Sequence, residues 1–180
     1  CAQSGTINTL CVDNLTVSKP LTPVIKYRAA VTNPANSVYN LGLPINWNTI
    51  LDDPNGNVSV APFHYTVPVS GYYIATFQLD SEQLQGAATI SGVPVGLLRL
   101  FANAGLARQM LAPFLSFSDE QSAVFSTILL LNAGDIITMT YDVLVLNPVG
   151  GLMPFVGTVN IKANGSALNS SGFEIHYLSS

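Results

Sequence analysis

The stretch "TVPVSGYYIATFQLD", residues 66–80, has the pattern of a turn followed by a strand. A strand with one face on a core and one face in water alternates apolar with polar side chains. The two faces predicted here carry Tyr73, Ala75, Phe77 and Leu79 on one side and Tyr72, Ile74 and Thr76 on the other. Neither set suits water, so the pattern predicts that a further layer of protein covers the second face.

The composition supports the same conclusion for the whole chain. Its 180 residues are enough for one domain with a large core. Charged residues make up 9% and hydrophobic residues 48%, whereas charged residues reach about 25% in average soluble proteins. A chain with so few charged residues would expose a largely apolar surface. This composition therefore predicts that much of the surface is buried against other chains, as in an obligate oligomer. The longest apolar run, in 125–137, is broken by Asn132, Gly134 and Asp135 and falls short of the ~20 residues of a membrane-spanning helix, so we expect no membrane span.

The sequence lacks the residues that several classes of function need. The net charge is −4 and Lys and Arg form no cluster, so no nucleic-acid groove is expected. His64 and His176 both fall in predicted strands, and no nucleophile, phosphate or dinucleotide motif accompanies them. The "DDPNGN" turn that begins at Asp52 fails the calcium-loop template, because Val58 and His64 occupy the Gly and Glu positions. We therefore expect no enzymatic activity, no cofactor and no metal.

Residues 1–23 differ from the rest of the chain. Thr and Val in "SGTINTLCVDNLTVSKPLTP" favour an extended strand that ends at Pro20 and Pro23. We interpret this segment as an N-terminal arm or connector outside the main body. The only two cysteines, Cys1 and Cys11, lie in the arm. Sequence allows a bridge within the chain, a bridge between chains, or a lipid-modified Cys1.

The body, residues 24–180, is predicted to be entirely β. The expected strands are 24–32, 36–41, 45–51, 58–66, 70–80, 93–103, 106–117, 121–132, 135–146, 155–163 and 171–178, with turn signals such as "DDPNGN" and "NAGD" between them. No segment has an apolar helical repeat with caps. The stretch "DSEQLQGAA", which begins at Asp80, is interpreted as a loop with at most one helical turn. Many short strands without helices predict a sandwich or jelly roll.

Five segments, in register over residues 24–178, resemble the jelly-roll heads of the complement subcomponent q and tumour necrosis factor superfamily. They are "PINWNTILDD", "FHYTVPVSGYYIATF", "GLLRLFANA", "STILLLNAGDIITMTYD" and "NSSGFEIHYL". Tyr65 or Thr66 stands where that family usually has a cysteine. The low charge is closer in character to the heads of bacterial or viral collagen-like surface proteins. Receptor-binding residues of the family therefore cannot be transferred to this chain.

The resemblance implies a homotrimeric, ten-stranded jelly-roll sandwich preceded by the extended arm. In this superfamily three sandwiches meet around an axis, which would cover the second face of the 66–80 strand. We expect Tyr72, Ile74 and Thr76 to face the axis with Phe173 nearby, and Tyr73 and Phe77 to lie in the sandwich core.

Two functions remain open from the sequence. The first is a non-enzymatic structural subunit or tip of a surface fibre or coat, in which the arm joins neighbouring trimers and Cys1 or Cys11 crosslinks them. The second is a trimeric recognition or adhesion head whose loops bind a glycan or a protein. Both imply an extracellular location or the surface of a cell, spore or virion.

Overall fold

The structure is a computed structural model that describes residues 27–33, 37–85, 93–113, 121–146, 151–162 and 171–180. The predicted arm, 1–23, lies outside the described residues, as do Cys1 and Cys11 and therefore the predicted disulfide.

The described residues form thirteen β-strands and no helix, which confirms the all-β prediction. The strands are β1 (Arg28–Thr32), β2 (Ser37–Asn40), β3 (Thr49–Asp52), β4 (Val58–Val60), β5 (Phe63–Thr66), β6 (Gly71–Gln85), β7 (Val93–Ala102), β8 (Gly105–Pro113), β9 (Gln121–Leu131), β10 (Ile136–Leu146), β11 (Leu152–Pro154), β12 (Thr158–Ile161) and β13 (Gly172–Ser179).

The strands form two antiparallel sheets that pack as a sandwich. The first has the order β2-β12-β6-β13-β1-β3, and β9 pairs with the other edge of β6. The second has the order β4-β5-β10-β7-β8, and β11 pairs with β10. Strands that are distant in sequence are neighbours in space, as in a jelly roll, and β6 is central to the first sheet.

The prediction of a loop from Asp80 was wrong, because β6 continues to Gln85. Asp80 is buried, and its backbone N–H donates to the Ser171 hydroxyl at 2.8 Å. Its carbonyl accepts the backbone N–H of Lys162, also at 2.8 Å. Beyond Asp80 the strand pairs with β12. This polar stretch has only a weak local preference for a strand. Its pairing with distant segments nevertheless holds it in a strand.

Two other predicted strands are shorter or divided in the structure. The 45–51 segment forms a strand only from Thr49, although the backbone N–H of Ile45 is fixed by the Met139 carbonyl at 2.8 Å. The 58–66 segment is divided into β4 and β5 by a turn that contains a cis Ala61–Pro62 peptide. These two strands pair as a hairpin.

Aromatic side chains form much of the core between the sheets. Tyr73 and Phe77 are buried, which confirms the predicted assignment of the two faces of β6. The Trp47 ring packs edge-on against Phe77, with centroids 6.0 Å apart. Such contacts add to the hydrophobic stabilisation from burial of the rings. The core thus fixes which side chains of β6 face outward.

Candidate self-association surface

The side chains on the outward side of β6 continue across the sheet onto β9. The register places Leu130 opposite Tyr72, Ile128 opposite Ile74, Ser126 opposite Thr76 and Val124 opposite Gln78. Directly opposite residues of an antiparallel pair lie on the same face. The two strands therefore present one continuous surface.

Five apolar residues dominate this surface, which we call the apolar outward face: Tyr72, Ile74, Val124, Ile128 and Leu130. Leu130 is 68% exposed and Ile128 is 55% exposed in the single chain. Isolated exposed aliphatic residues are ordinary, whereas a contiguous set on adjacent strands makes this face a candidate interaction surface.

The apolar outward face exists because β9 is apolar on both sides. Phe125, Leu129 and Leu131 are buried on the core side of the strand. Val124, Ile128 and Leu130 occupy the alternate positions and lack a cover in the single chain. A strand buried on both faces has this composition.

A hydroxyl pair lies within the apolar outward face. The side-chain oxygens of Thr76 and Ser126 are 2.8 Å apart and share a hydrogen bond. Because each hydroxyl supplies the other with a partner, burial of this pair would cost less than burial of two unpaired hydroxyls. The Thr76–Ser126 pair is therefore compatible with a covered surface.

Ionisable side chains border the apolar outward face on its β13 side. His176 lies opposite Ile74, and Glu174 lies opposite Thr76. The His176 Nε2 atom is 3.6 Å from a Glu174 carboxylate oxygen. Arg28, opposite His176 on β1, is paired with Asp52. These ionisable side chains are thus arranged in local pairs next to the apolar residues.

The structure places three of the four predicted interface residues together. Tyr72, Ile74 and Thr76 all lie on the outward side of β6, as the alternation predicted. Phe173 does not lie beside them, contrary to the prediction. It lies opposite Phe77, is 1% exposed, and packs edge-on against Phe63 at 6.1 Å between centroids. Phe173 is therefore part of the sandwich core.

Sequence reasoning missed the contribution of β9 to this surface. The signal was present in "STILLL", residues 126–131, where apolar residues occupy successive positions and hence both faces of a strand. The pairing of β9 with β6 joins residues about fifty positions apart, and local sequence does not specify it.

Asp53, in the turn considered for calcium binding, has structural partners. The two carboxylate oxygens of Asp53 accept the backbone N–H groups of Asn57 at 3.0 Å and Val58 at 2.9 Å. This carboxylate therefore stabilises the turn that precedes β4. In the described part of the chain, no group of three or more His, Cys, Asp or Glu side chains could hold a metal ion.

Burial also shifts the ionisation of several core groups. Desolvation raises the pKa of Tyr39, Tyr65 and Tyr141 well above the usual tyrosine value, so their hydroxyls stay protonated. Burial raises the pKa of Asp142, and the nearby Arg99 guanidinium opposes that shift. Arg99 donates a hydrogen bond to Asp142 at 2.5 Å. These groups belong to packed parts of the sandwich.

No helix long and apolar enough to cross a bilayer occurs among the residues that the structure describes.

Comparison with known proteins identifies the fold. No protein-family model and no curated protein matches the chain. The globular domain of zebrafish complement 1qA protein is similar over 85% of this chain and 98% of its own, with 19% identity and a TM-score of 0.56. Eiger TNF from S. frugiperda is similar over 85% of this chain and 92% of its own, with 14% identity and a TM-score of 0.58. The chain therefore has a C1q/TNF-like jelly-roll fold, as the sequence motifs predicted.

Proposed function

We propose that this protein is a non-enzymatic extracellular structural protein that forms homotrimers through the apolar outward face. The trimer would be a subunit or tip of a surface fibre or coat. The observation that carries the proposal is the set of exposed aliphatic side chains, Val124, Ile128 and Leu130, beside Tyr72 and Ile74 on adjacent strands. When the chains associate, several half-exposed aliphatic side chains of each chain are removed from water. This contributes on the order of a few kcal/mol per chain to the free energy of association.

A three-fold arrangement is consistent with the shape of the exposed apolar surface. A ring of three subunits needs two different patches on each subunit, because the contact is heterologous. The apolar outward face supplies one patch. The adjacent flank, where β8 lies beside β9, exposes Leu106 and Leu111 and could supply the other. The superfamily that the sequence motifs resemble assembles three sandwiches around an axis, which favours the same stoichiometry.

The proposed link between trimers is the N-terminal arm, residues 1–23. An extended segment can add as a strand to the sheet edge of a neighbour, where backbone hydrogen bonds hold it. Cys1 and Cys11 could then crosslink the joint in an oxidising environment. Deletion of residues 1–19 followed by electron microscopy tests this role. Assemblies longer than one trimer should disappear, and their persistence would remove the arm from the proposal.

Native mass spectrometry of the full chain, with and without reductant, tests the trimer. We expect a species of three times the 19.1 kDa chain mass that persists in reductant. Larger species that dissociate only in reductant would indicate disulfides between trimers. A well-folded, soluble single chain at low micromolar concentration would refute the trimer.

Recognition of a ligand by a trimeric head is the second candidate function. It is favoured by a cavity beside β2, whose described lining carries no formal charge and includes Asn33, Asn40 and Asn46. Cavities with a few polar groups on an apolar base are typical ligand sites. A glycan array and a protein array probed with the full chain test this function, and the absence of binding to both would exclude it.

A further inference from the structure

A cavity of about 200 Å³ lies between β2 and the segment 43–46. It is separate from the apolar outward face. Its lining includes Asn33, Val38, Asn40, Leu43 and Asn46.

The apolar part of the cavity has a buried set and an exposed set of side chains. Tyr39, Ile45 and Ile161 are buried, so they belong to the core as well as to the cavity lining. Val38 is 71% exposed, and Leu43 is also exposed. A ligand in the cavity could therefore contact aliphatic surface that is otherwise in water, which favours binding.

Hydrogen bonds hold the two sides of the cavity in place. The Tyr39 hydroxyl donates to the Leu43 carbonyl and accepts the backbone N–H of Tyr141 at 3.2 Å. The backbone N–H of Leu43 donates to the Asn40 carbonyl at 3.3 Å. The Ile45 N–H is bonded to the Met139 carbonyl on β10. Because the walls are fixed, binding would cost little ordering of the protein.

The polar groups of the cavity are amides and hydroxyls. The Asn33 side-chain oxygen accepts the Asn48 backbone N–H at 3.1 Å, and the Asn46 side-chain oxygen accepts the Phe63 N–H at 3.3 Å. These bonds orient both side chains, and the NH₂ group of each amide is a double donor. Asn40 and Ser37 add further neutral donors and acceptors. Among the described residues that line the cavity, none carries a formal charge.

We propose that this cavity binds one neutral sugar ring of a glycan. Its volume is below the ~300–1,000 Å³ of ordinary ligand sites, so it suits a single ring rather than an oligosaccharide. A sugar ring combines hydroxyls, which match the amides, with C–H surface, which matches Val38 and Leu43. A charged ligand would lose hydration without gaining an opposite charge from the lining. The inference rests on the recognition function proposed above and names its ligand class.

Weak binding is expected at each site. A ring with about a dozen non-hydrogen atoms corresponds to a dissociation constant on the order of millimolar. Three copies on one assembly would raise the avidity for a multivalent glycan by factors of about 10²–10⁴.

The experiment is an NMR titration of the full 180-residue chain with glucose, galactose, mannose and N-acetylglucosamine. Sialic acid, which carries a negative charge, is the control ligand. We expect saturable millimolar binding of at least one neutral sugar, and at least about tenfold weaker binding of sialic acid.

Two matched variants locate the site. Val38→Trp fills the exposed edge of the cavity and should weaken sugar binding at least about tenfold. Val156→Trp makes the same change at an 86% exposed valine that does not line the cavity, and should leave binding unchanged. Leu130→Asp, on the apolar outward face, should also leave binding unchanged, because Leu130 does not line the cavity.

Three results would overturn the inference: no saturable binding of any neutral sugar at about 50 mM, equally tight binding of sialic acid, or unaltered binding by Val38→Trp. In the last case a sugar site exists elsewhere, so the recognition function stands and the cavity assignment fails. A wild-type chain that stays monomeric but binds a neutral sugar would refute the structural proposal alone.

Discussion

Leu130 on β9 lies directly opposite Tyr72 on β6, and both side chains face away from the sandwich core. The outward position of Tyr72 was predicted from the sequence, whereas that of Leu130 was not. Both contribute apolar surface, so the effect of covering this face can be tested at Leu130 without altering the core.

Leu130→Asp should dissociate the proposed trimer. A carboxylate buried at the contact would lose hydration without a partner, at a cost of several kcal/mol. The measurement is the molar mass by size-exclusion chromatography with light scattering at several concentrations. Leu152→Asp is the matched control, because Leu152 is also exposed but lies on β11 of the second sheet. Equal masses for the wild type and Leu130→Asp would contradict the assignment of the interface.

Phe173→Leu should lower the free energy of unfolding without changing the number of chains. The substitution removes the edge-on contact with Phe63 and leaves unfilled volume in the core, which costs about 1–2 kcal/mol. Chemical denaturation and native mass spectrometry measure the two effects. A variant that is fully stable within each chain but loses its partners would place Phe173 at an interface after all.

Gly71→Ala should destabilise the start of β6. Gly71 has a φ of +156°, and an added Cβ would lie 2.4 Å from the Ser179 carbonyl oxygen and 2.7 Å from a Tyr177 ring carbon. Since the oxygen belongs to the backbone, the strand pair must shift, and we expect a loss of about 2 kcal/mol or more.

Gly151→Ala is the control for this prediction, because nothing lies within 4 Å of its added Cβ. Its free energy of unfolding should stay within about 0.5 kcal/mol of the wild type. Thermal and chemical denaturation compare the variants. Equal stability of Gly71→Ala and Gly151→Ala would show that the close approach to Ser179 carries no cost.

The contribution of Asp142 to the free energy of unfolding should fall as the pH rises. Burial raises its pKa in the folded state despite the opposing charge of Arg99. A raised pKa means that its stabilising contribution is complete below the ordinary aspartate pKa and is lost as the pH rises through the folded-state value. Asp142→Asn remains neutral and should escape this loss.

Denaturation at about pH 3.5 and pH 7 tests the sign. The stability of Asp142→Asn relative to the wild type should be greater at pH 7 than at pH 3.5. A relative stability that falls over this interval would mean that the Arg99 contact dominates, and that the folded-state pKa is lowered.

Much of the fold could be predicted because local pattern and packing agree over most of the chain. Alternation separates Tyr73 and Phe77 from Tyr72, Ile74 and Thr76. The family resemblance then predicted which of the two sets faces the core. The extension of β6 beyond Asp80 could not be predicted this way. Its polar side chains have weak strand preference, and hydrogen bonds from Ser171 and Lys162, which are distant in sequence, hold the backbone extended.

The candidate surface was only half determined by the sequence. By itself the sequence predicted an all-β body in which the strand within residues 66–80 has no face suited to water, because side chains alternate along a strand whatever its neighbours are. Only the tertiary structure decided that Leu130 and Ile128 complete that face and that Phe173 lies in the core, opposite Phe77. The reason is that register between strands far apart in sequence is set by the joint packing of both sheets, and one-residue shifts exchange the two faces.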